Sequence, residues 1–136
     1  KLYTKEFYTK CASLLNLDGI LITQSGSPYF ATKAFYCIEK TLRSAGFNTL
    51  PIHNQVITMG EWGWNIGSKQ LSKKQMKDRL CNSDYKNISL KWLNQEANKQ
   101  IISFGKPLAD TSNTAINTLY EPVLPNYYLK GNWALF

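Results

Sequence analysis

The sequence predicts an α/β fold, and two features of its first two-thirds support this. Two segments with an apolar face at helical spacing flank the unbroken apolar run of residues 20–24. The chain order helix, strand, helix is typical of α/β folds, in which helices pack against a sheet. Residues 48–56 and 62–68 are also strand-like, and residues 57–61 between them are too few for a crossover helix. These two strands are therefore predicted to pair as an antiparallel hairpin.

The first helix is predicted at the start of the chain. Its inward residues recur at spacings of three and four: Tyr3, Phe7, Cys11, Leu14 and Leu15. Gly19 is the predicted stop. Residues 20–24 show no alternation, which is typical of a strand covered on both faces in a parallel sheet. Because helical periodicity is already present at residue 1 and no initiator Met precedes it, we expect a longer parent protein.

The second helix follows a strand end that suits a helix start. Ser27 can cap the helix, and Pro28 fits its first position because the first turn needs no backbone donor there. Gly46 is the predicted end. The predicted inward residues are Phe30, Ala34, Phe35, Ile38, Leu42 and Ala45.

The second half is predicted as a connector, a third helix and a tail. Residues 72–79 are predicted to be a mobile surface connector. A basic cluster, interpreted as a solvated face, extends over residues 69–79: Lys69, Lys73, Lys74, Lys77 and Arg79, against Asp78. The third helix is predicted from Leu90, Leu93, Ala97, Ile101 and Phe104, and is closed by Gly105-Lys106-Pro107. An irregular tail with one short helix follows, around Tyr120, Pro122, Tyr127, Tyr128 and Trp133.

Length and composition indicate one globular core. The 136 residues carry a net charge of +7, which leaves nucleic acid, an anionic membrane surface or an anionic small molecule open as partners. Cys11, Cys37 and Cys81 are odd in number and far apart, so we expect free thiols in a reducing compartment. No run approaches the about 18 apolar residues of a membrane span, and no signal peptide is evident.

Candidate site residues lie at the end of the first strand and in the hairpin. Ligands bind beyond the carboxyl ends of strands in open α/β sheets. That end carries Gln24, Ser25 and Ser27, and the segment 59–69 brings Glu61 and Trp62 over them. Trp62 offers a π face for a cationic or sulfonium group, and Gln24 offers a neutral donor and acceptor. A buried strand-end tryptophan, a satisfied amide and an exposed turn carboxylate are the alternatives.

Other chemistry finds little support in the sequence. His53 is the one histidine and lies mid-strand, with no cysteine or carboxylate at metal-ligand spacing, so a structural role is favoured and no metal is predicted. There is no glycine-rich phosphate loop, no G-x-S-x-G elbow and no paired-carboxylate motif.

Five segments, in order, resemble the polyamine aminopropyltransferases, the spermidine synthase family. Residues 2–8 (LYTKEFY) resemble the L-Y-x-x-E-F-Y helix start, and residues 18–28 (DGILITQSGSP) resemble the D-G-x-x-x-x-Q-x-x-S-P strand. Residues 45–47 (AGF) and 60–64 (GEWGW) are similar to A-G-F and G-E-W-G-F. Residues 122–131 are similar to the P-V-L-x-x-Y-Y-x-x-G tail of a bacterial branch.

The resemblance implies the carboxyl-terminal part of a methyltransferase-like Rossmann fold, with residues 1–69 in its core and residues 70–136 as connector, helix and tail of the same domain. It implies transfer of an aminopropyl group from decarboxylated S-adenosylmethionine, a co-substrate, to putrescine or a related diamine, with no permanently bound cofactor. The catalytic base is expected upstream of this chain, which alone is expected to be inactive. Gln24 and Trp62 match amine-pocket positions, with Glu61 beside them.

The resemblance also implies a homodimer in the cytoplasm, with membrane-spanning segments in some members. Residues 56–60 (VITMG) depart from the V-P-S-F-G and T-Y-P-S-G forms of the bacterial relatives, so the acceptor diamine stays open. Two alternatives remain. One is a non-catalytic homologue that binds polyamine or nucleoside, and the other is a basic nucleic-acid-binding module that uses the connector.

Overall fold

The computed structural model describes residues 1–105 and 113–131, and it confirms an α/β fold. Its elements follow in chain order: α1 (Lys5–Leu14), β1 (Ile20–Gly26), α2 (Thr32–Ser44), β2 (Asn48–Val56), β3 (Gly60–Ser68), α3 (Lys73–Cys81), α4 (Gln95–Ile101) and α5 (Leu124–Leu129). None of these helices is long and apolar enough to cross a membrane, in the part of the chain that the structure describes.

The three strands form one sheet in the order β1-β3-β2, in which β3 is antiparallel to both neighbours. The predicted hairpin is confirmed. β2 has the predicted bounds, and β3 begins at Gly60, two residues earlier than predicted. A turn at residues 57–59 joins them, with the Met59 N–H donating to the Val56 carbonyl at 3.0 Å. β1 and β2 therefore run in the same direction, and their carboxyl ends lie at the same edge of the sheet as the start of β3.

The prediction that β1 is covered on both faces in a parallel sheet is wrong for the described residues. β1 pairs with β3 alone and antiparallel. Ile22 is 59% exposed and Ile20 is also exposed, whereas Thr23 and Ser25 on the opposite face are buried. An unbroken apolar run reports that a strand can be buried, but it does not say which strand lies beside it.

Helix α2 covers one face of the sheet and forms the main core. Its buried residues include Ala34, Phe35, Ile38 and Leu42, as predicted. Ser27 accepts hydrogen bonds from the backbone N–H groups of Tyr29 and Phe30, each at 3.2 Å. These bonds close a separate turn, so the helix itself begins later than predicted, at Thr32.

Helix α1 packs through a different face from the predicted one. Tyr8 is fully buried, and its hydroxyl lies 3.0 Å from the Thr23 Oγ1 of β1. Phe7 is exposed, and Leu14, which is also the last residue of the helix, is 74% exposed. The predicted inward face of α1 was therefore wrong at these two positions. The spacing of apolar residues alone does not show which face of a helix packs against the rest of the protein.

The predicted mobile connector is a helix in the structure, which corrects that prediction. Ser72 and Gln75 form a capping box at the start of α3. Met76 is buried, in a second core cluster with Leu50, Ile66 and Leu71 on the sheet face opposite α2. The basic residues at 73, 74, 77 and 79 are exposed, as predicted for a solvated face.

Helix α4 is shorter than predicted. It spans Gln95–Ile101, with Asn94 as its cap, so Leu90 and Leu93 precede it and are exposed. The short helix predicted in the tail is confirmed as α5. Lys106, Pro107 and Trp133, named in the sequence predictions, lie outside the described residues.

Candidate functional site

Gln24 and Trp62 lie on the same face of the sheet, at the end where β1 finishes and β3 starts. Gln24 is directly opposite Trp64 on β3, and Trp62 lies two residues nearer the start of that strand. Successive side chains alternate between faces, so all three side chains project to the face opposite α2. Gln24 is exposed and Trp62 is half-buried. The fold thus brings together the two residues that match the amine pocket in the family resemblance.

Ser25 and Ser27, the other polar residues at the end of β1, are both fully buried. The Ser25 hydroxyl donates to the Thr23 carbonyl at 3.1 Å and accepts from the Asn65 side chain at 2.9 Å. Ser27 closes the turn before α2. These serines hold the backbone at the strand end, whereas Gln24 is accessible from solvent.

Glu61 and His53 are in side-chain contact on the opposite sheet face from Trp62. The His53 Nδ1 contacts the Glu61 carboxylate, and the His53 Nε2 donates to the Ser103 carbonyl at 2.9 Å. A carbonyl oxygen only accepts, so Nε2 carries a hydrogen. Both ring nitrogens of His53 are therefore engaged. Glu61 is not a free turn carboxylate.

Aromatic rings surround His53. The Phe104 ring lies 4.3 Å from the imidazole between centroids, and the Tyr29 ring meets it edge-on at 6.0 Å. Phe104 in turn lies 6.4 Å from Phe35 of α2. The segment after α4 therefore reaches the sheet face that α2 covers, and it packs against the histidine.

Gln24 also lines a shallow groove of about 260 Å³ beside α1. Tyr3, Phe7 and Ile22 are among the other residues of its wall. At its base, burial raises the pKa of the Tyr8 phenol well above its usual range. Tyr8 is therefore a neutral hydrogen-bonding group that joins α1 to β1.

His53 is the residue that sequence reasoning undervalued. A three-residue turn at 57–59 pairs Val56 with Gly60, and counting back along the hairpin places His53 opposite Gly63. Glu61 then lies on the same face, diagonally across from His53. Diagonal neighbours are within reach of long side chains. The predicted hairpin did not give this contact, because its loop at 57–61 left Glu61 outside the strands, whereas in the structure β3 begins at Gly60.

No metal centre emerges from the structure: residues 1–105 and 113–131 contain no group of three or more His, Cys, Asp or Glu side chains that could hold an ion. Cys11, Cys37 and Cys81 are free thiols, as predicted. The basic residues of α3 share this helix with two large apolar residues, Met76 and Leu80, and the helix contains no aromatic residue. Aromatic stacking platforms for a nucleic acid are not interleaved with these charges.

Solved structures define the class to which this fold belongs. The chain superimposes on spermidine synthase from Thermotoga maritima with a TM-score of 0.62 and 21% identity, covering 76% of this chain and 37% of that one. A spermidine synthase in complex with the transition-state analogue AdoDATO gives a TM-score of 0.60 at 22% identity, with 76% and 36% covered. The fold is therefore the methyltransferase-like α/β fold of these structures.

The family follows from the sequence. Residues 1–79 match the spermine/spermidine synthase domain, and the chain belongs to this family. It is 36% identical over 134 residues to polyamine aminopropyltransferase 2 of Aquifex aeolicus, covering 96% of this chain and 25% of the relative. It is 37% identical over 132 residues to the polyamine aminopropyltransferase of Shewanella oneidensis, covering 96% and 23%. The chain thus spans about a quarter of the length of these relatives.

Proposed function

We propose that the complete protein transfers an aminopropyl group from decarboxylated S-adenosylmethionine to putrescine or a related diamine, in polyamine biosynthesis. Family membership supports the reaction class. The observation that carries the site is the placement of Gln24 and Trp62 on one sheet face, at the shared end of β1 and β3.

The reaction needs an oriented neutral amine. Its nitrogen attacks the methylene next to the sulfonium, the carbon–sulfur bond breaks, and the bond electrons stay on sulfur, which leaves as methylthioadenosine. The amine then gives up a proton to a base, which the family resemblance places upstream of residue 1. Positioning of the two reactants supplies much of the rate in such a transfer.

We assign diamine binding to Gln24 and Trp62, with Glu61 next to Trp62 in the sequence. The Gln24 amide can accept a hydrogen bond from the amine, and the Trp62 indole offers a π face to a cationic chain. The Glu61 carboxylate faces the other side of the sheet, where it bonds His53, so its proposed role is to support the start of β3 behind Trp62. Residues 1–69 and 70–136 are proposed to form one domain, since Met76 of α3 and Ile102 after α4 pack on the sheet in the second core cluster.

For partners, we propose a diamine and a second copy of the complete protein, and for location the cytoplasm, where three free thiols are stable. The homodimer is an expectation from the family resemblance. Sedimentation velocity on the complete protein measures it directly, and a monomer at micromolar concentration contradicts it.

The test of the function is release of methylthioadenosine by the complete protein from decarboxylated S-adenosylmethionine and putrescine. We expect turnover with at least one diamine and none from residues 1–136 alone. If no diamine supports turnover while calorimetry detects polyamine or nucleoside binding, the protein is the non-catalytic homologue instead.

A further inference from the structure

We propose that His53 is a positioning residue for Trp62, that it acts through Glu61, and that it thereby sets the affinity of the site for the diamine. The inference rests on the proposed function for its kinetic consequence. Its structural part, the control of the Trp62 orientation by His53, stands on the geometry of the hairpin.

The first step is the alternation of β3. Glu61 and Trp62 are adjacent residues of one strand, so their side chains project to opposite faces. The Glu61 carboxylate is held by the imidazole of His53 on the α2 face. When the side chain of a strand residue is anchored on one face of the sheet, the orientation of its peptide plane is fixed. The direction in which the next side chain projects from the other face is then fixed as well. The contact between Glu61 and His53 therefore orients the Trp62 side chain from the opposite face of the sheet.

The second step is that His53 is itself immobilised. It is 9% exposed, its Nε2 donates to the Ser103 carbonyl, and the rings of Tyr29 and Phe104 pack against it. The Gly105 N–H donates to the Tyr29 hydroxyl at 3.4 Å, so the two segments that pack against His53 are also bonded to each other. A buried ring with both nitrogens engaged is a fixed support, unlike a mobile surface charge.

The third step is that the tip of the hairpin is exposed to solvent. Ile57 in the turn is 99% exposed, and Asn54 and Gln55 near the end of β2 are exposed. Trp62 is opposite Asn54 in the register, so its own neighbour on β2 is a solvated side chain. The bond between His53 and Glu61 therefore joins β2 to β3 where the side chains at the end of β2 are solvated.

The experiment uses the complete protein with His53→Ala, Glu61→Ala and the double variant. We expect each single change to raise KM for the diamine about tenfold, the scale of one lost positioning contact, and to leave KM for decarboxylated S-adenosylmethionine unchanged. The double variant should be no worse than either single variant, because both remove the same link.

Two further variants make the test specific. His53→Asn places an amide N–H near the position of Nδ1, and it should bring KM for the diamine back to within about threefold of wild type. Glu96→Ala is the matched control: it removes a glutamate from an exposed pair with Lys99 on α4, away from the hairpin, and should change neither KM.

An orientation readout separates this inference from the proposed function. In protein that keeps Trp62 as its one tryptophan, with Phe at the others, acrylamide quenching of its fluorescence should rise at least about twofold in His53→Ala and stay near wild type in His53→Asn. This measurement decides the inference even if the wild-type protein turns over no diamine.

Three results would overturn the proposal. Unchanged quenching of Trp62 in His53→Ala would show that the indole does not depend on the pair. Additive effects of the two alanine changes would show that His53 and Glu61 act separately. A raised KM in Glu61→Ala with a normal KM in His53→Ala would show that Glu61 acts on the amine directly.

Discussion

Gly63 on β3 lies against the ring of Phe35 on α2 so closely that a Cβ at this position would stand 2.4 Å from the Phe35 Cε2. The same Cβ would be 3.0 Å from the carbonyl oxygen of Gly26, so the backbone of β1 closes the space on another side. The glycine between the two tryptophans therefore serves close approach of α2 to the sheet. The ring of Phe35 occupies the place that a side chain would take.

This contact predicts the effect of filling the space. Gly63→Ala should lower the free energy of unfolding by about 1–3 kcal/mol, because neither the ring nor the backbone carbonyl can move away cheaply. Urea unfolding followed by circular dichroism measures it. Gly105→Ala is the matched control, since a Cβ there meets nothing within 4 Å and should change stability by less than about 0.5 kcal/mol. A Gly63→Ala variant as stable as wild type contradicts the prediction.

The proposed diamine site predicts the kinetics of two variants. Trp62→Ala in the complete protein should lower kcat/KM by roughly tenfold to a hundredfold, because the amine loses one wall of its site. Gln24→Ala should act in the same direction, through looser amine orientation. Methylthioadenosine release is the assay, and Trp92→Ala, which removes a tryptophan that is 91% exposed, is the control. Unchanged turnover in both site variants would remove the site assignment.

Helix α3 predicts a contrast between its two sides. Replacing Lys73, Lys74 and Lys77 together by Gln should change stability by no more than about 1 kcal/mol, because these side chains are exposed. Met76→Ala should cost about 2–5 kcal/mol, because Met76 is buried against the second core cluster. Equal effects of the two changes on urea unfolding would show that the helix does not pack as described.

The Cys37 thiol predicts a loss of stability at high pH. It is buried and donates to the Ala115 carbonyl at 3.4 Å, and burial raises its pKa from 9.0 to about 11. A raised pKa in the folded state stabilises the fold below the unfolded pKa, and this contribution is lost as pH rises from about 9 to about 11.

Unfolding curves between pH 7.5 and 11 test this prediction. Cys37→Ala should show a shallower fall in the free energy of unfolding over that range than wild type. Cys81→Ala is the matched control, because it removes a thiol that is only partly buried. The same slope in wild type and Cys37→Ala would show that the thiol does not contribute.

The open side of β1 predicts self-association of residues 1–136 by themselves. Ile20 and Ile22 are exposed on a strand that has one sheet neighbour among the described residues. Unpaired strand edges with apolar side chains promote association. Light scattering should detect oligomers or aggregates, and Ile22→Lys should reduce them. Ile57→Lys, in the exposed turn of the hairpin, should not; a stable wild-type monomer with cooperative unfolding would contradict the prediction.

The sequence by itself was sufficient for the local structure of the sheet and of α2. The bounds of β2, the hairpin between β2 and β3 and the buried residues Ala34, Phe35, Ile38 and Leu42 follow from periodicity and from the length of the connections. These features depend on contacts between residues close together in the chain, and such contacts leave a pattern that can be read directly. The family resemblance, by the same token, was carried by short contiguous motifs.

Only the tertiary structure decided which faces are covered. The unbroken apolar run of β1 is compatible with several neighbours, and the fold inserts β3 between β1 and β2. Helix α3 contains a single buried residue, Met76, whose partners Leu50 and Ile66 are on two strands. Likewise His53 contacts Glu61, Ser103 and Phe104, and its bond to Ser103 joins residues 50 positions apart in the chain. Local periodicity indicates which face of a segment can be buried. Which segment covers that face depends on packing between residues far apart in the chain, and no local pattern indicates it.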